Sequence, residues 1–118
     1  MISLPDKKTI FFGVDETLVF WSFGKYRPEE LVEFPIHGYS VFLKPHKRHI
    51  EEIKLRKSLG NNIIVWSHGG AEWAKIVVET LGLQEYVDYT MSKPNAFYDD
   101  LPASSFMTEG NRIYFEDK

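Results

Sequence analysis

The sequence predicts a single α/β domain built on a parallel β-sheet. Short apolar runs, which are typical of strands, alternate along the chain with segments whose apolar residues recur at helical spacing. The first run, residues 9–14 (TIFFGV), does not alternate between apolar and polar residues, so both faces of the strand would be apolar. Because such a strand suits a sheet covered by helices on both faces, we expect it to be the central strand.

The composition indicates one compact domain over residues 1–118, since 43% of the residues are hydrophobic and 15% are aromatic. Cysteine is absent, so a metal would bind through oxygen or imidazole ligands, and the four histidines lack the pairing of a zinc site. The net charge of -3 provides no general attraction for nucleic acid or membranes. The N-terminus has no signal-like apolar run, and we expect a soluble, cytoplasmic protein.

A hairpin and a helix are predicted after the first strand. Residues 31–43 form two pieces with alternating apolar positions around a Pro-Ile-His-Gly turn, which indicates a β-hairpin. Residues 45–59 then predict a helix, with Pro45 in its first turn and Gly60 just past its end. The residues expected to face the sheet from this helix are Ile50, Ile53 and Leu59.

The second half of the chain predicts another strand, loop and helix. Residues 63–66 form a short apolar run, and a Ser-His-Gly-Gly loop separates it from a helix that ends before Gly82. The apolar residues at helical spacing are Trp73, Ile76, Val77 and Leu81. Three shorter strands are predicted near residues 87–91, 96–98 and 112–115.

Polar side chains follow the predicted strands, where a parallel α/β sheet collects its functional groups. Asp15 follows the first strand and Ser67 follows the second. Asp99 and Asp100 follow a later strand, with Lys93 upstream of them. Carboxylates can hold a hard cation, while a hydroxyl, an ammonium and loop N–H groups can bind phosphate. These residues predict a magnesium and phosphate site.

Four short motifs, taken in order, resemble those of the haloacid dehalogenase (HAD) phosphatase superfamily. Residues 11–18 resemble the first motif, hhDxDxT, with Gly13 at the position of the first aspartate. Residues 64–67 are similar to the second motif, residues 93–94 to the third and residues 97–100 to the fourth. The resemblance implies a small Rossmann-like phosphatase domain with the hairpin as a flap and no large cap domain.

The resemblance also implies roles for individual residues. In the family, the first aspartate attacks the phosphoryl group to form an aspartyl-phosphate, and the second, which matches Asp15, acts as general acid and base. Ser67, with His68 beside it, would hold a phosphoryl oxygen, and Lys93 would offset developing charge. The implied magnesium ligands are Asp15, Asp99 and Asp100.

Gly13 departs from the family pattern. Because glycine can neither attack phosphorus nor supply a carboxylate to a metal, we expect phosphatase activity to be impaired or absent and magnesium binding to be weakened. Three explanations stay open: a deliberate substitution, a natural pseudoenzyme, or a chemistry in which Asp15 or water takes over. Two other functions also stay open, namely a module that binds a phosphorylated ligand and a protein-interaction module that uses the aromatic hairpin.

Several of these residues also have simpler interpretations. Ser67 can serve as a helix N-cap, and Trp21, Phe23 and Tyr26 can pack beneath the hairpin rather than line a site. The basic stretch over residues 44–57 is better explained as a solvated helix face than as a nucleic-acid interface, because acidic residues interrupt it. The predicted partner is a phosphorylated substrate or ligand of undefined class, with no membrane and with nucleic acid not favoured.

Overall fold

Two three-stranded sheets and two α-helices form the described part of the chain, which comprises residues 7–21 and 24–116 of a computed structural model. The strands are β1 (Thr9–Gly13), β2 (Val19–Phe20), β3 (Val32–Ile36), β4 (Tyr39–Pro45), β5 (Asn62–Ser67) and β6 (Tyr89–Ser92). The helices are α1 (Lys47–Ser58) and α2 (Ala71–Thr80), and short 3₁₀ turns cover Pro28–Glu30, Ala103–Ser105 and Glu109–Asn111. The predicted α/β class is confirmed.

The first sheet is parallel, with the strand order β1-β5-β6. Gly13 of β1 lies opposite Trp66 of β5, and Ser67 of β5 lies opposite Ser92 of β6. The prediction that the first strand is central was wrong, because β5 holds that place and has strand neighbours on both sides. Among the described residues no strand pairs with the other edge of β1, and only Phe12 of that strand is buried.

The second sheet is antiparallel, with the order β2-β4-β3. β3 and β4 form the predicted hairpin, in which Ile36 lies opposite Tyr39. The two residues of its turn, His37 and Gly38, have φ values of 38° and 87°. Both values lie in the left-handed region that hairpin turns require, which explains the glycine at the second position.

Helix α1 begins later than predicted. Pro45 is the last residue of β4 and pairs with β2, so the helix starts after His46, which is its N-cap. Ile53 is fully buried against the sheet and Ile50 is partly buried, as expected. Leu59 is 67% exposed, because the helix ends before it and leaves its side chain beyond the packed face. The expectation that Leu59 faces the sheet was wrong.

Helix α2 and β6 confirm two predicted elements, but the two strands predicted after β6 were wrong. Residues 96–98 and 112–115 form no strand. The first of these runs has only three residues and lies between Pro94 and Pro102, neither of which has an N–H group for a strand ladder. Asp99 and Asp100 therefore do not follow a strand.

Two buried histidines connect the C-terminal segment to the loop after β1. The rings of His46 and His49 are stacked, with centroids 3.8 Å apart. His46 Nε2 donates to the Phe115 carbonyl at 2.7 Å, and the Phe115 N–H donates to His49 Nε2 at 3.0 Å. His49 Nδ1 donates to the Thr17 carbonyl at 2.7 Å. Because a carbonyl only accepts, these bonds fix the proton of His46 on Nε2 and that of His49 on Nδ1.

Asp88 connects α1 to the parallel sheet. Its carboxylate accepts a 2.7 Å hydrogen bond from Lys57 Nζ at one oxygen and a 2.7 Å hydrogen bond from the Ile63 N–H at the other. These two donors hold the pKa of Asp88 below its ordinary value. The ionised carboxylate thus stabilises the contact between the end of α1 and the start of β5.

None of the helices among the described residues is long and apolar enough to cross a membrane.

We predict that Asp88→Asn reduces stability at neutral pH and has less effect in acid. The folded-state pKa of Asp88 lies below that of the unfolded chain. Its contribution is therefore complete above the ordinary carboxyl pKa of about 4 and is lost as the pH falls through the lower folded-state value. Urea denaturation at several pH values measures this, with Glu79→Gln on α2 as the control for net charge. A difference between wild type and Asp88→Asn that grows as the pH falls would contradict the assignment.

We predict that His49→Phe destabilises the protein by about 1–3 kcal/mol, because the Thr17 carbonyl and the Phe115 N–H both lose their partner. Urea denaturation at neutral pH measures the change. The control is His68→Phe at an exposed histidine, for which we expect a change within about 0.5 kcal/mol. Equal effects of the two substitutions would mean that the hydrogen bonds of His49 do not stabilise the fold.

Candidate functional site

The carboxyl edge of the parallel sheet brings three of the predicted site positions together. Gly13 is the last residue of β1, Ser67 is the last residue of β5, and Lys93 follows β6 directly. The Lys93 N–H donates to the Ser67 carbonyl at 3.0 Å, which continues the pairing of β5 and β6 past the end of the ladder. The ends of the strands predicted from the sequence therefore identify the edge of the sheet at which these three residues meet.

A tight turn after β1 positions Asp15. The N–H groups of Leu18 and Val19 both donate to the Val14 carbonyl, at 2.9 and 3.2 Å. Glu16 adopts a left-handed φ of 59° and its N–H donates to the Val19 carbonyl at 2.8 Å. This turn keeps Asp15 at the sheet edge, where it forms an isolated parallel bridge with Val19, the first residue of β2.

The Asp15 carboxylate accepts hydrogen bonds from three side chains. Ser67 Oγ donates to Oδ2 at 3.2 Å. The indole N–H groups of Trp21 and Trp73 donate to Oδ1 at 2.7 and 3.1 Å. Because the three donors come from β5, α2 and the segment after β2, they fix the carboxylate from different sides.

Trp21 could either line the site or pack beneath the hairpin, and its indole N–H donates to Asp15 at the cavity. Its ring also packs against the hydrophobic core. No sequence signal indicated that Trp73 would donate to the same oxygen, since its helical spacing only predicted a buried face. Tyr26 packs against Phe20, with ring centroids 6.3 Å apart, as predicted. Phe23 lies outside the described residues.

The α-carbon of Gly13 faces the space between a hydroxyl and an ammonium. A Cβ atom built at this position would lie 3.1 Å from Thr17 Oγ1 and 3.9 Å from Lys93 Nζ. The close neighbour is the end of a side chain, and the φ of Gly13 is not in the left-handed region. The backbone at this position therefore permits a larger residue, provided that the Thr17 side chain shifts by a few tenths of an ångström to relieve the 3.1 Å contact.

Ser67 is buried and does not cap α2. The N-cap is Gly70, with a φ of 108°, and Ser67 Oγ instead accepts from the Gly69 N–H at 2.9 Å. The interpretation of Ser67 as an N-cap was therefore wrong. His68, which was predicted to bind phosphate beside Ser67, is exposed at the start of this loop.

A cavity of about 330 Å³ opens beside Asp15. The hairpin turn supplies one wall through Ile36 and His37, and α2 supplies another. His37 Nε2 lies 3.7 Å from a carboxylate oxygen of Glu72 at the rim, where both side chains are exposed. The cavity is lined by Asp15, Trp21, Ile36, His37, Gly69, Glu72, Trp73 and Ile76.

The predicted metal ligands are not brought into one group. Within residues 7–21 and 24–116, no three His, Cys, Asp or Glu side chains are arranged so that they could hold a metal ion. Asp99 and Asp100 are exposed, and hydrogen bonds from Asp100 hold the pKa of Asp99 below its ordinary value. Magnesium binding remains a prediction from the resemblance.

Most of the basic side chains in residues 44–57 have partners within the chain. Arg48 lies over the Phe115 ring at 4.1 Å, and Lys54 lies over the Tyr86 ring at 5.5 Å. The ion pairs are Lys44–Glu30 at 3.9 Å, Arg56–Glu52 at 2.8 Å and Lys57–Asp88 at 2.7 Å. These contacts agree with the interpretation of residues 44–57 as an ordinary helix face. That the protein binds a phosphorylated ligand and not nucleic acid remains a prediction.

No protein-family model, no curated protein and no solved structure matches the chain. The resemblance to the HAD phosphatases therefore depends on the motif residues themselves and on their order along the chain.

Proposed function

We propose that the chain has a HAD-like phosphatase scaffold that binds a phosphate monoester in a crevice at the carboxyl edge of the parallel sheet. The crevice is the space beside Gly13, Thr17 and Lys93. Gly13 prevents hydrolysis of the bound ester by the aspartyl-phosphate route. One observation carries this proposal. A side chain at position 13 would point between Thr17 Oγ1 and Lys93 Nζ. It would do so at the same sheet edge at which Ser67 orients the carboxylate of Asp15. A hydroxyl and an ammonium that converge on one small space are suited to the oxygens of a phosphoryl group.

Each polar group at the edge has a task in this proposal. The Lys93 ammonium offsets the charge of the phosphoryl oxygens, and the Thr17 hydroxyl donates to one of them. The Ser67 hydroxyl donates to Asp15 Oδ2 and so holds the Asp15 carboxylate in place. Ser67 could donate to a phosphoryl oxygen only after this hydrogen bond breaks. His68, exposed at the same loop, can supply a further donor at the mouth of the crevice.

An aspartate at position 13 would complete a two-step reaction. Its carboxylate oxygen would form a bond to phosphorus while the bond from phosphorus to the ester oxygen breaks, and Asp15 would give its proton to that leaving oxygen. Asp15 would then take a proton from a water molecule as the water attacks the aspartyl-phosphate and releases inorganic phosphate. With glycine at position 13, the first bond cannot form.

Magnesium belongs to this chemistry by resemblance, and it would supply charge neutralisation at the phosphoryl group. The fit to the present residues is poor. Asp15, Asp99 and Asp100 do not form one group, and the oxygens of Asp15 already accept three hydrogen bonds.

A protein-interaction module is the second candidate, because aromatic side chains lie exposed on the hairpin. Tyr39 is 62% exposed and Phe42 is 58% exposed. Large exposed aromatic residues are common in the contact surfaces of proteins. The failure of phosphate and phosphate esters to bind the crevice would favour this candidate over the first.

We predict that Gly13→Asp gains hydrolysis of p-nitrophenyl phosphate at a rate at least about 100-fold above that of the wild type, because it restores the nucleophile. The release of p-nitrophenolate is followed with magnesium and with a chelator. The double variant with Asp15→Asn should lose the gain, since no general acid remains.

Gly13→Asn is the matched control, because it adds a side chain of the same size without a nucleophilic carboxylate. We expect it to remain as inactive as the wild type. If Gly13→Asp and Gly13→Asn are equally inactive although both fold, the assignment of position 13 is wrong.

We predict that the wild type binds inorganic phosphate and that Lys93→Met weakens this binding by at least about tenfold, because one charge-assisted hydrogen bond is lost. Isothermal titration calorimetry at constant ionic strength measures both affinities. Lys54→Met on α1 removes the same charge away from the crevice and should change the affinity by less than about twofold. Equal losses in the two variants would indicate a general charge effect instead of a site.

A further inference from the structure

We infer that the cavity beside Asp15 binds a planar aromatic group of the phosphate monoester, so that the ligand is an aryl phosphate or another phosphate that carries a flat ring. This inference rests on the proposed function, since it concerns the part of the ligand that lies beyond the phosphoryl group.

Two indoles form one continuous wall of the cavity. The ring centroids of Trp21 and Trp73 are 6.2 Å apart and the planes are tilted by 50°. This is a contact distance for an aromatic pair, so no third ring can enter between the two indoles. A ligand ring must pack against the wall that they form together, inside the cavity.

Two aliphatic side chains add to the lining of the cavity, which stays partly open to solvent. Ile36 comes from the end of β3 at the hairpin turn, and Ile76 comes from α2. The cavity volume of about 330 Å³ is at the lower end of the range for ligand sites, which suits one or two fused rings. The cavity thus combines aromatic and aliphatic surfaces over a volume that matches a flat group.

The hydrogen bonds of Asp15 place the cavity next to the phosphoryl position. Oδ1 faces the two indole N–H groups that belong to the cavity wall, while Oδ2 faces Ser67 at the sheet edge. The carboxylate therefore lies between the cavity and the edge where Gly13 and Lys93 converge. A monoester with its phosphoryl group at that edge and its ring in the cavity would have its bridging oxygen at Asp15.

The polarity of the walls favours a ring over a sugar or a peptide. The indole N–H groups of Trp21 and Trp73 already donate to Asp15, so the wall that these residues present is mainly apolar. The polar pair of His37 and Glu72 lies at the exposed rim. A sugar in the cavity would have to leave hydroxyl groups without partners against the apolar walls, which costs free energy.

The test uses the wild type, whose lack of a nucleophile at position 13 allows equilibrium titration without turnover. Inorganic phosphate, n-butyl phosphate and 1-naphthyl phosphate are titrated by calorimetry at the same pH and ionic strength. We expect 1-naphthyl phosphate to bind about tenfold more tightly than n-butyl phosphate, which corresponds to about 1.4 kcal/mol. Tryptophan fluorescence provides a second readout, because two of the three tryptophans line the cavity. We expect the naphthyl ester to quench this emission and the other two ligands to leave it unchanged.

Two variants test whether the preference arises in the cavity. Trp73→Ala removes part of the wall, and Ile36→Trp fills the cavity from the hairpin side while it leaves both indoles in place. The ratio of the two ester affinities should fall to within about twofold in each variant. Because a ratio is measured on one protein sample, a partial loss of folded protein does not imitate the result.

Two outcomes overturn the inference in different ways. If inorganic phosphate binds but the naphthyl ester has no advantage, or if its advantage persists in both variants, the cavity does not bind the ring and the proposed phosphate site still stands. If neither inorganic phosphate nor n-butyl phosphate binds, the proposed function fails and the inference fails with it.

Discussion

The parallel pairing of β1 with β5 is the constraint on which the candidate site depends. This pairing sets Gly13 opposite Trp66 and so brings the turn after β1 next to Ser67 at the end of β5. Helix α2 follows β5 after three loop residues, and its Trp73 therefore reaches the same carboxylate. A shift of the register by one residue would turn the side chains of β1 to the opposite face and separate Asp15 from its donors.

Asp15 gains its orientation from residues that serve different parts of the fold. Ser67 belongs to the central strand, Trp73 packs against Phe34 of the hairpin with ring centroids 6.1 Å apart, and Trp21 follows β2. The carboxylate is consequently a meeting point of both sheets and of α2. A surface aspartate that is surrounded by water can accept hydrogen bonds from water and does not need three side-chain donors, two of them large aromatic residues.

The sequence predicted the parts of the fold that depend on local pattern. The hairpin, both helices and the strand at residues 63–66 follow from periodicity and from glycine and proline positions, and all of them are present in the structure. The position of β1 as an edge strand could not be predicted, because an apolar run does not show whether a strand has neighbours on one side or on both. The strands expected near residues 96–98 and 112–115 do not form. Short apolar runs also occur in extended segments that pair with no other strand, so such a run alone does not predict a strand.

The site was predictable where it follows strand ends and unpredictable where it depends on tertiary contacts. Gly13, Ser67 and Lys93 meet because each lies at the carboxyl end of a parallel strand. Helical spacing indicated only apolar packing for Trp73, and both a site position and packing beneath the hairpin were open for Trp21. No local signal distinguishes an indole N–H that will donate to a carboxylate. Asp99 and Asp100 were placed by an expected strand that does not form.

The histidine contacts make the C-terminal segment part of the support of the crevice. One imidazole, that of His49, accepts from the backbone of Phe115 and donates to the carbonyl of Thr17, whose hydroxyl lies beside Gly13. Shortening the chain before Phe115 would thus remove a brace from the turn that carries Asp15, although the deleted residues touch no ligand. For work on the crevice, the segment that contains Phe115 therefore has to be regarded as a structural element and not as a dispensable tail.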